Sequence, residues 1–167
     1  MRSTVRTSGC SRVLLVVAFA AIGPRALPAA EPAELKYDTY SGYFVLNKFE
    51  PNAAESFVVA SSQEQFDNVF GAAFVMHDKS HRLAKGAFES SIVVAAIKRG
   101  NALWDFKVDS VVVADGVVQL KYTAKSQPNQ TASFAVPLIV SIPKGDYKAV
   151  EFIENGKSAK RLETGKE

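Results

Sequence analysis

The sequence predicts a mainly β domain of the α+β class: an antiparallel curved sheet or small sandwich carrying one short helix. Three observations lead there. Residues 91–97, Ser-Ile-Val-Val-Ala-Ala-Ile, are almost wholly apolar, the composition of a strand covered on both faces. Trp104, Phe106 and Val108 alternate with Asp105, Lys107 and Asp109, the period of two of a half-buried strand. Asp115-Gly116 and Asn155-Gly156 are dipeptides that tolerate the positive φ angles of hairpin turns.

The chain has 167 residues, 47% of them apolar and 22% charged, an ordinary globular mix. Its length fits one domain, for which about 100–200 residues is usual. The organisation expected is a signal peptide over residues 1–30, a polar lead-in over 31–41, one β-rich domain over 42–162 and a tail over 163–167. The leader is read from its order of features. Arg2, Arg6 and Arg12 precede the ten uncharged residues 13–22, and Gly23, Pro24, Pro28, Ala29 and Ala30 follow. A basic start, a short apolar stretch and small residues at the cut make a secretory signal. Ten residues are too few for a bilayer span, which needs about 20.

Removal of that segment changes the charge. The formal net charge of the whole chain is +3, from 20 basic and 17 acidic residues. Arg2, Arg6, Arg12 and Arg25 leave with the leader and no acid goes with them. Sixteen basic residues then face seventeen acids, a net −1. Cys10, the one cysteine, leaves too, so the exported domain needs no oxidant to fold. The expected location is periplasmic or secreted, with membrane contact only in transit through the signal peptide.

Along the domain, residues 42–49 read as an aromatic strand ended by Pro51, and residues 56–60 as a short apolar strand. Ser62 with Gln65, or Ser61 with Glu64, has the spacing of a helix capping box. Phe66, Val69 and Phe70 would form the apolar face of that helix, and Gly71 is placed to end it. Val118, Leu120 and Tyr122 share a face, and a turn over 127–130 follows. Phe134, Val136, Leu138, Val140 and Ile142 share another face, with Pro137 inside that strand marking a bulge or an unpaired edge. Lys144-Gly145-Asp146 turns the chain, and residues 149–153 and 159–162 pair about Asn155-Gly156. The second half is thus expected to be a series of hairpins.

Chemistry-bearing patterns are few. His77 and His81, four apart with Asp78 between them, would share a helical face, but two imidazoles and one carboxylate fall short of a metal ligand set. No metal and no cofactor are expected. The Gly-x-Ser-x-Gly nucleophile elbow is absent. Asp105 and Asp109 would lie about 13 Å apart along a strand, too far to share a proton. Nucleic-acid binding loses its support at a net charge of −1. Lys98-Arg99 and the group Lys157, Lys160 and Arg161 are small basic clusters, and the second sits where a solvated tail is expected. Asn129-Gln130-Thr131 is a glycosylation sequon on a turn. Trp104 is either core or a stacking platform. The long irregular stretch 72–87 and the loop 99–103 are the exposed binding candidates, which selects His77, Asp78, His81, Arg82, Arg99, Asn101 and Trp104.

From residue 56 to about 154 the chain resembles the C-terminal domain of PrcB-type protease-complex stability proteins. The likeness lies in the order of Ser62-Gln63-Glu64-Gln65-Phe66 through Gly71, the apolar strand 92–97, the hairpin at Asp115-Gly116, the turn with Pro128, the strand Ala135-Val136-Pro137-Leu138 through Lys144, and the closing Val150-Glu151-Phe152. Arg99-Gly100-Asn101 stands where that family often carries Gly-Gly-Tyr. The resemblance implies an exported, non-enzymatic domain and supplies no catalytic residues. The expected function is a non-catalytic binding or stabilising module acting on a partner protein, with a protease as the partner type that the resemblance suggests. The alternative is a small-ligand or carbohydrate-binding β-domain using Trp104 and Tyr122.

Overall fold

The computed structural model describes residues 32–73, 81–128 and 131–164. In chain order the elements are β1 (Ala33–Glu34), β2 (Asp38–Tyr40), β3 (Tyr43–Val45), β4 (Glu55–Ala60), α1 (Gln63–Asp67), β5 (Phe70–Ala72), a 3-10 turn (Ala87–Glu89), β6 (Ser91–Gly100), β7 (Ala102–Ala114), β8 (Val117–Pro128), β9 (Phe134–Pro143), β10 (Ala149–Glu154) and β11 (Lys157–Glu163). Two sheets stack as a sandwich. One has the order β1-β7-β8-β10-β11, the other β2-β9-β6-β4, and a ribbon of β3 and β5 forms a third layer with α1. This is the mainly β architecture expected, with a sandwich rather than a single curved sheet.

Strand β6 explains the layering. Ile92, Val94 and Ala96 face the core between the sheets, against Val118, Leu120, Tyr122, Val140, Val150 and Phe152. Val93, Ala95 and Ile97 face the opposite way, under Val45, Phe66, Val69 and Phe70. A continuous apolar run is what two-sided burial demands, since alternate residues point to opposite faces. Each of the Val, Ile, Leu and Phe side chains contributes about 1.5–3 kcal/mol by leaving water.

The turns follow their dipeptides. Asp115 and Gly116 sit at φ 52° and 80°, Asn155 and Gly156 at 50° and 77°, the primed turn geometry that matches strand twist. These close the antiparallel pairs β7–β8 and β10–β11. The other expected hairpins are absent. After β8 the chain crosses to the second sheet, where β9 pairs with β6. It then crosses back, and β10 joins β8 in parallel, Val150 opposite Val118 and Phe152 opposite Leu120. β9 lies between β2 and β6, which gives its Leu138, Val140 and Ile142 the central core and its Ile139 the outer one. Pro137 pairs in register with Ile97 without a bulge. The β2 ladder covers only Ile139–Ser141 of β9, so Pro137 falls beyond it and its missing N–H is tolerated there.

Ser62 caps α1, accepting from the Gln65 backbone N–H at 3.2 Å. The Gln65 side chain reaches back past Ser62 to Ser61, accepting from its backbone N–H at 2.7 Å and its hydroxyl at 3.0 Å. The two serines therefore divide the capping box between them. The helix stops at Asp67, earlier than Gly71 would place it, with Asn68 still in a helical conformation. Gly71 belongs to β5 opposite Phe44, and a Cβ there would meet the Phe44 ring at 2.5 Å. The glycine is required by a close approach of two strands rather than by a helix end. Residues 33–34 and 38–40 of the polar lead-in add short strands to both sheets.

Candidate functional site

Among the described residues one end of each sheet is a strand paired on one side only, β4 in the four-stranded sheet and β11 in the five-stranded one. The two edges border one side of the sandwich and leave a seam along it. Phe57 of β4 meets Phe152 of β10 across the seam, ring centroids 4.9 Å apart. Below and above this contact the seam opens into two clefts.

The lower cleft, about 420 Å³, is lined by Glu55, Lys98, Glu154, Asn155, Lys157 and Ala159. Lys98 is the second-to-last side chain before the Gly100 corner, and only 6% of it is exposed. Its Nζ lies 2.5 Å from Glu55 Oε1 on its own sheet and 2.8 Å from Glu154 Oε2 on the other. The Tyr122 hydroxyl donates to the same Glu154 oxygen at 3.0 Å. The Trp104 ring lies 5.2 Å from Nζ, within cation–π reach. Lysine, two carboxylates, phenol and indole thus form a clasp that joins the sheets. Burial alone would lower the Lys98 pKa, but the hydrogen bonds and charges of Glu154 and Glu55 outweigh it and hold the ammonium above the ordinary lysine value. Burial pushes the Tyr122 phenol well upward, and the neighbouring Glu154 carboxylate adds to the rise. Asn155 locks the rim: its side-chain amide accepts from the Ala124 N–H and donates to the Ala124 carbonyl, both at 3.1 Å.

The upper cleft is larger, about 930 Å³. Val59 and Ser61 form one wall, the β9–β10 loop with Asp146, Tyr147 and Lys148 a second, and Glu163 and Thr164 a third. The Tyr147 hydroxyl donates to the Pro143 carbonyl at 2.8 Å, which fixes the loop across the cleft mouth.

The residues singled out by sequence do not form one site. His77 and Asp78 lie outside the described residues. His81 and Arg82 serve the outer layer. The His81 carbonyl accepts from Gly42 N–H at 3.1 Å, and Arg82 Nη2 donates to the Ala73 carbonyl. Arg99 ties down the loop between β3 and β4: its guanidinium donates to Phe49 O at 3.0 Å, Ala53 O at 3.3 Å and Ser56 Oγ at 2.6 Å. Among the described residues it shares no hydrogen-bond partner with Arg82. Asn101 is exposed at the corner where β6 passes into β7, next to Gly100 at φ 128°. Trp104 alone joins the clasp, half-buried on the inner face of β7, stacked on Phe106 at 6.5 Å, with its indole N–H buried and without a hydrogen-bond partner among the described residues.

Sequence reasoning missed Lys98, Glu55 and Glu154 as a unit. A lysine directly after six buried apolar residues, Ile92 to Ile97, was the available signal, because the next inward position in line is already at the core's end. Among the described residues no three His, Cys, Asp or Glu side chains converge so as to hold a metal ion, and no helix is long and apolar enough to cross a membrane. Comparison with protein-family models, with characterised proteins and with solved structures found no match.

Proposed function

We propose that this chain is an exported, non-catalytic module that binds or stabilises a partner protein, and that the partner docks along the seam between β4 and β11. The observation that carries this reading is the seam itself. Two unpaired strand edges flank it, half-buried Phe57 and Val59 look into it, and a cleft of about 930 Å³ opens at its head. Exposed edges and half-covered apolar side chains are what a protein partner can complete. Binding is favoured over lysine catalysis because Lys98 is held in its charged form between two carboxylates, and only a deprotonated amine is a nucleophile. The resemblance to PrcB-type proteins favours a protease as the partner.

The test is chemical cross-linking of the tagged chain in its native cell envelope, beside an Asp146→Trp variant. Asp146 is exposed at the cleft mouth, so the bulky residue obstructs the site without entering the core. A partner at near-equal abundance that is lost from the variant supports the reading. No partner, or one indifferent to the variant, counts against it.

A second reading, a small-ligand or carbohydrate binder, is favoured by one observation: the buried Trp104 indole N–H has no hydrogen-bond partner among the described residues, and such a donor is costly to leave unmet. Trp104 is the chain's one tryptophan, so its emission during a monosaccharide and oligosaccharide screen reports directly. A saturable shift supports this reading, and a silent screen removes it.

A further inference from the structure

We infer that the open edge of β11, over Lys160–Glu163, takes up an extended acidic segment of another protein as an additional strand of the five-stranded sheet. The inference rests on the partner-binding reading above and names the strand and the chemistry of the ligand.

Four observations converge on this edge. Among the described residues β11 is hydrogen-bonded to β10 alone and pairs with no strand on its other side. Every residue from Lys157 to Glu163 is exposed except Leu162, and β4, which comes close to the strand, forms no ladder with it. The strand carries Lys157, Lys160 and Arg161 against one acid, Glu163, a local net charge of +2 on a domain whose total is near neutral. The ladder is regular only over its second half. The register slips between Phe152 and Ile153, leaving Ala159 unpaired, while Lys160, Arg161, Leu162 and Glu163 face Phe152, Glu151, Val150 and Ala149 in strict order. A bulge bends and interrupts an edge, so the template is the stretch after it.

The register also fixes which side chains an added strand would meet. Residues paired directly across antiparallel strands share a face. Lys160 and Leu162 therefore lie on the inner face with Phe152 and Val150, and Arg161 lies on the outer face with Glu151. A strand seated against β11 continues the sheet over β4. Both clefts of the seam are bordered by β4 and β11 together, so the two edges run side by side along its length. The incoming segment places an acidic residue against Lys160, another against Arg161, and an apolar residue beside Leu162 over half-buried Val59. Main-chain pairing supplies affinity in such strand addition, and the alternate side chains supply choice. The exposed ion pair of Arg161 with Glu163, 2.9 Å, is of the kind that contributes little and is exchanged readily.

The probe is a fluorescein-labelled peptide containing Val-Glu-Glu-Val, which sets acids against Lys160 and Arg161 and Val beside Leu162, with a peptide containing Val-Lys-Lys-Val as its counterpart. Anisotropy of each is titrated against the chain and against a Lys160→Glu/Arg161→Glu variant. Both positions are exposed, and a native circular dichroism spectrum of the variant is the entry condition. A single Lys160→Gln change serves if the double variant fails it. The expected result is binding of the acidic probe that weakens about tenfold or more in the double variant, two reversed contacts at roughly 1 kcal/mol each sufficing, with a matching gain for the basic probe. Lys160→Gln gives a smaller loss. Amide exchange must slow at residues 160–163 in the complex, because main-chain pairing protects those N–H groups.

Equal binding of both probes, or binding with no protection of β11, overturns the inference. So does displacement of the acidic probe by phosphatidylglycerol vesicles that themselves bind the edge. A concentration-dependent dimer whose β11 amides are protected overturns it as well, since the occupant is then a second copy. The two proposals fail separately. A cross-linked partner that is lost with Asp146→Trp but retained by the charge-reversed variant leaves the binding module standing and removes only the β11 edge.

Discussion

Replacing Lys98 with Met tests whether the clasp holds the two sheets together. The side chain is 6% exposed, and its two carboxylate partners differ sharply, Glu154 at 16% and Glu55 at 46%. Removing one member of a buried pair costs about 3–5 kcal/mol, because the remaining charge is stranded. Glu154 keeps the Tyr122 hydroxyl as a donor, which reduces the expected loss to about 2–4 kcal/mol. Glu55 reaches water and should contribute only about 0.2–1 kcal/mol. Urea unfolding of Lys98→Met, Glu154→Gln, Glu55→Gln and the two doubles gives two coupling energies from double-mutant cycles. The Lys98–Glu154 coupling should exceed the Lys98–Glu55 coupling by about 1 kcal/mol or more, with Lys98→Met/Glu154→Gln recovering part of the single-variant loss. A neutral Lys98→Met, or a larger coupling to Glu55, refutes the argument that burial of Glu154 makes the clasp.

The same clasp predicts an alkaline limit to stability. Lys98 and Tyr122 both have folded pKa values above their ordinary ones, so the unfolded chain releases these protons first, and stability is constant below about pH 9 and falls as pH rises past about 10; Tyr122→Phe should flatten that fall in urea midpoints taken from about pH 9 to about pH 12, and an unchanged slope counts against it. Arg99→Ala leaves the Ser56 hydroxyl, itself in a 2%-exposed residue, without its donor, for a loss of about 2–3 kcal/mol. Arg99→Lys should recover little of it, since an ammonium cannot span three acceptors, and amide exchange over residues 49–56 should quicken in both. Gly156→Ala should cost about 1–2 kcal/mol, a purely conformational penalty, because a Cβ there meets nothing within 4 Å while φ is +77°; a silent substitution in thermal unfolding refutes the primed turn.

What could be read beforehand was what depends on neighbours in the chain. β6 was legible because two-sided burial removes polar residues from both of its faces, and the two primed turns because Asp115-Gly116 and Asn155-Gly156 suit positive φ. The Ser62 cap was legible from a spacing of three. The return of β10 beside β8 was not, because alternation of apolar residues in 149–153 describes a buried face and is indifferent to which strand, and in which direction, lies alongside. Gly71 misled for a related reason: glycine after a helical pattern signals an end, while here it admits the Phe44 ring from a strand placed earlier in the chain. The candidate site was the least legible part. Lys98 finds Glu55 43 residues away and Glu154 on the other sheet, and nothing local distinguishes it from a lysine that closes a strand in water. Arg99, by contrast, was singled out for exposure and serves to hold a loop.

The parallel insertion of β10 has a consequence for the order in which the molecule assembles. β10 supplies Val150 and Phe152, both fully buried at the middle of the core, yet it comes after β9, which belongs to the other sheet. Neither sheet can be completed from one continuous stretch of chain, so the sandwich has no half that matures alone. Pairings between distant segments close slowly, since the loop entropy must be met before the contacts form. The β10–β11 hairpin therefore closes the core, and a chain emerging from its amino end keeps that core open until the hairpin arrives.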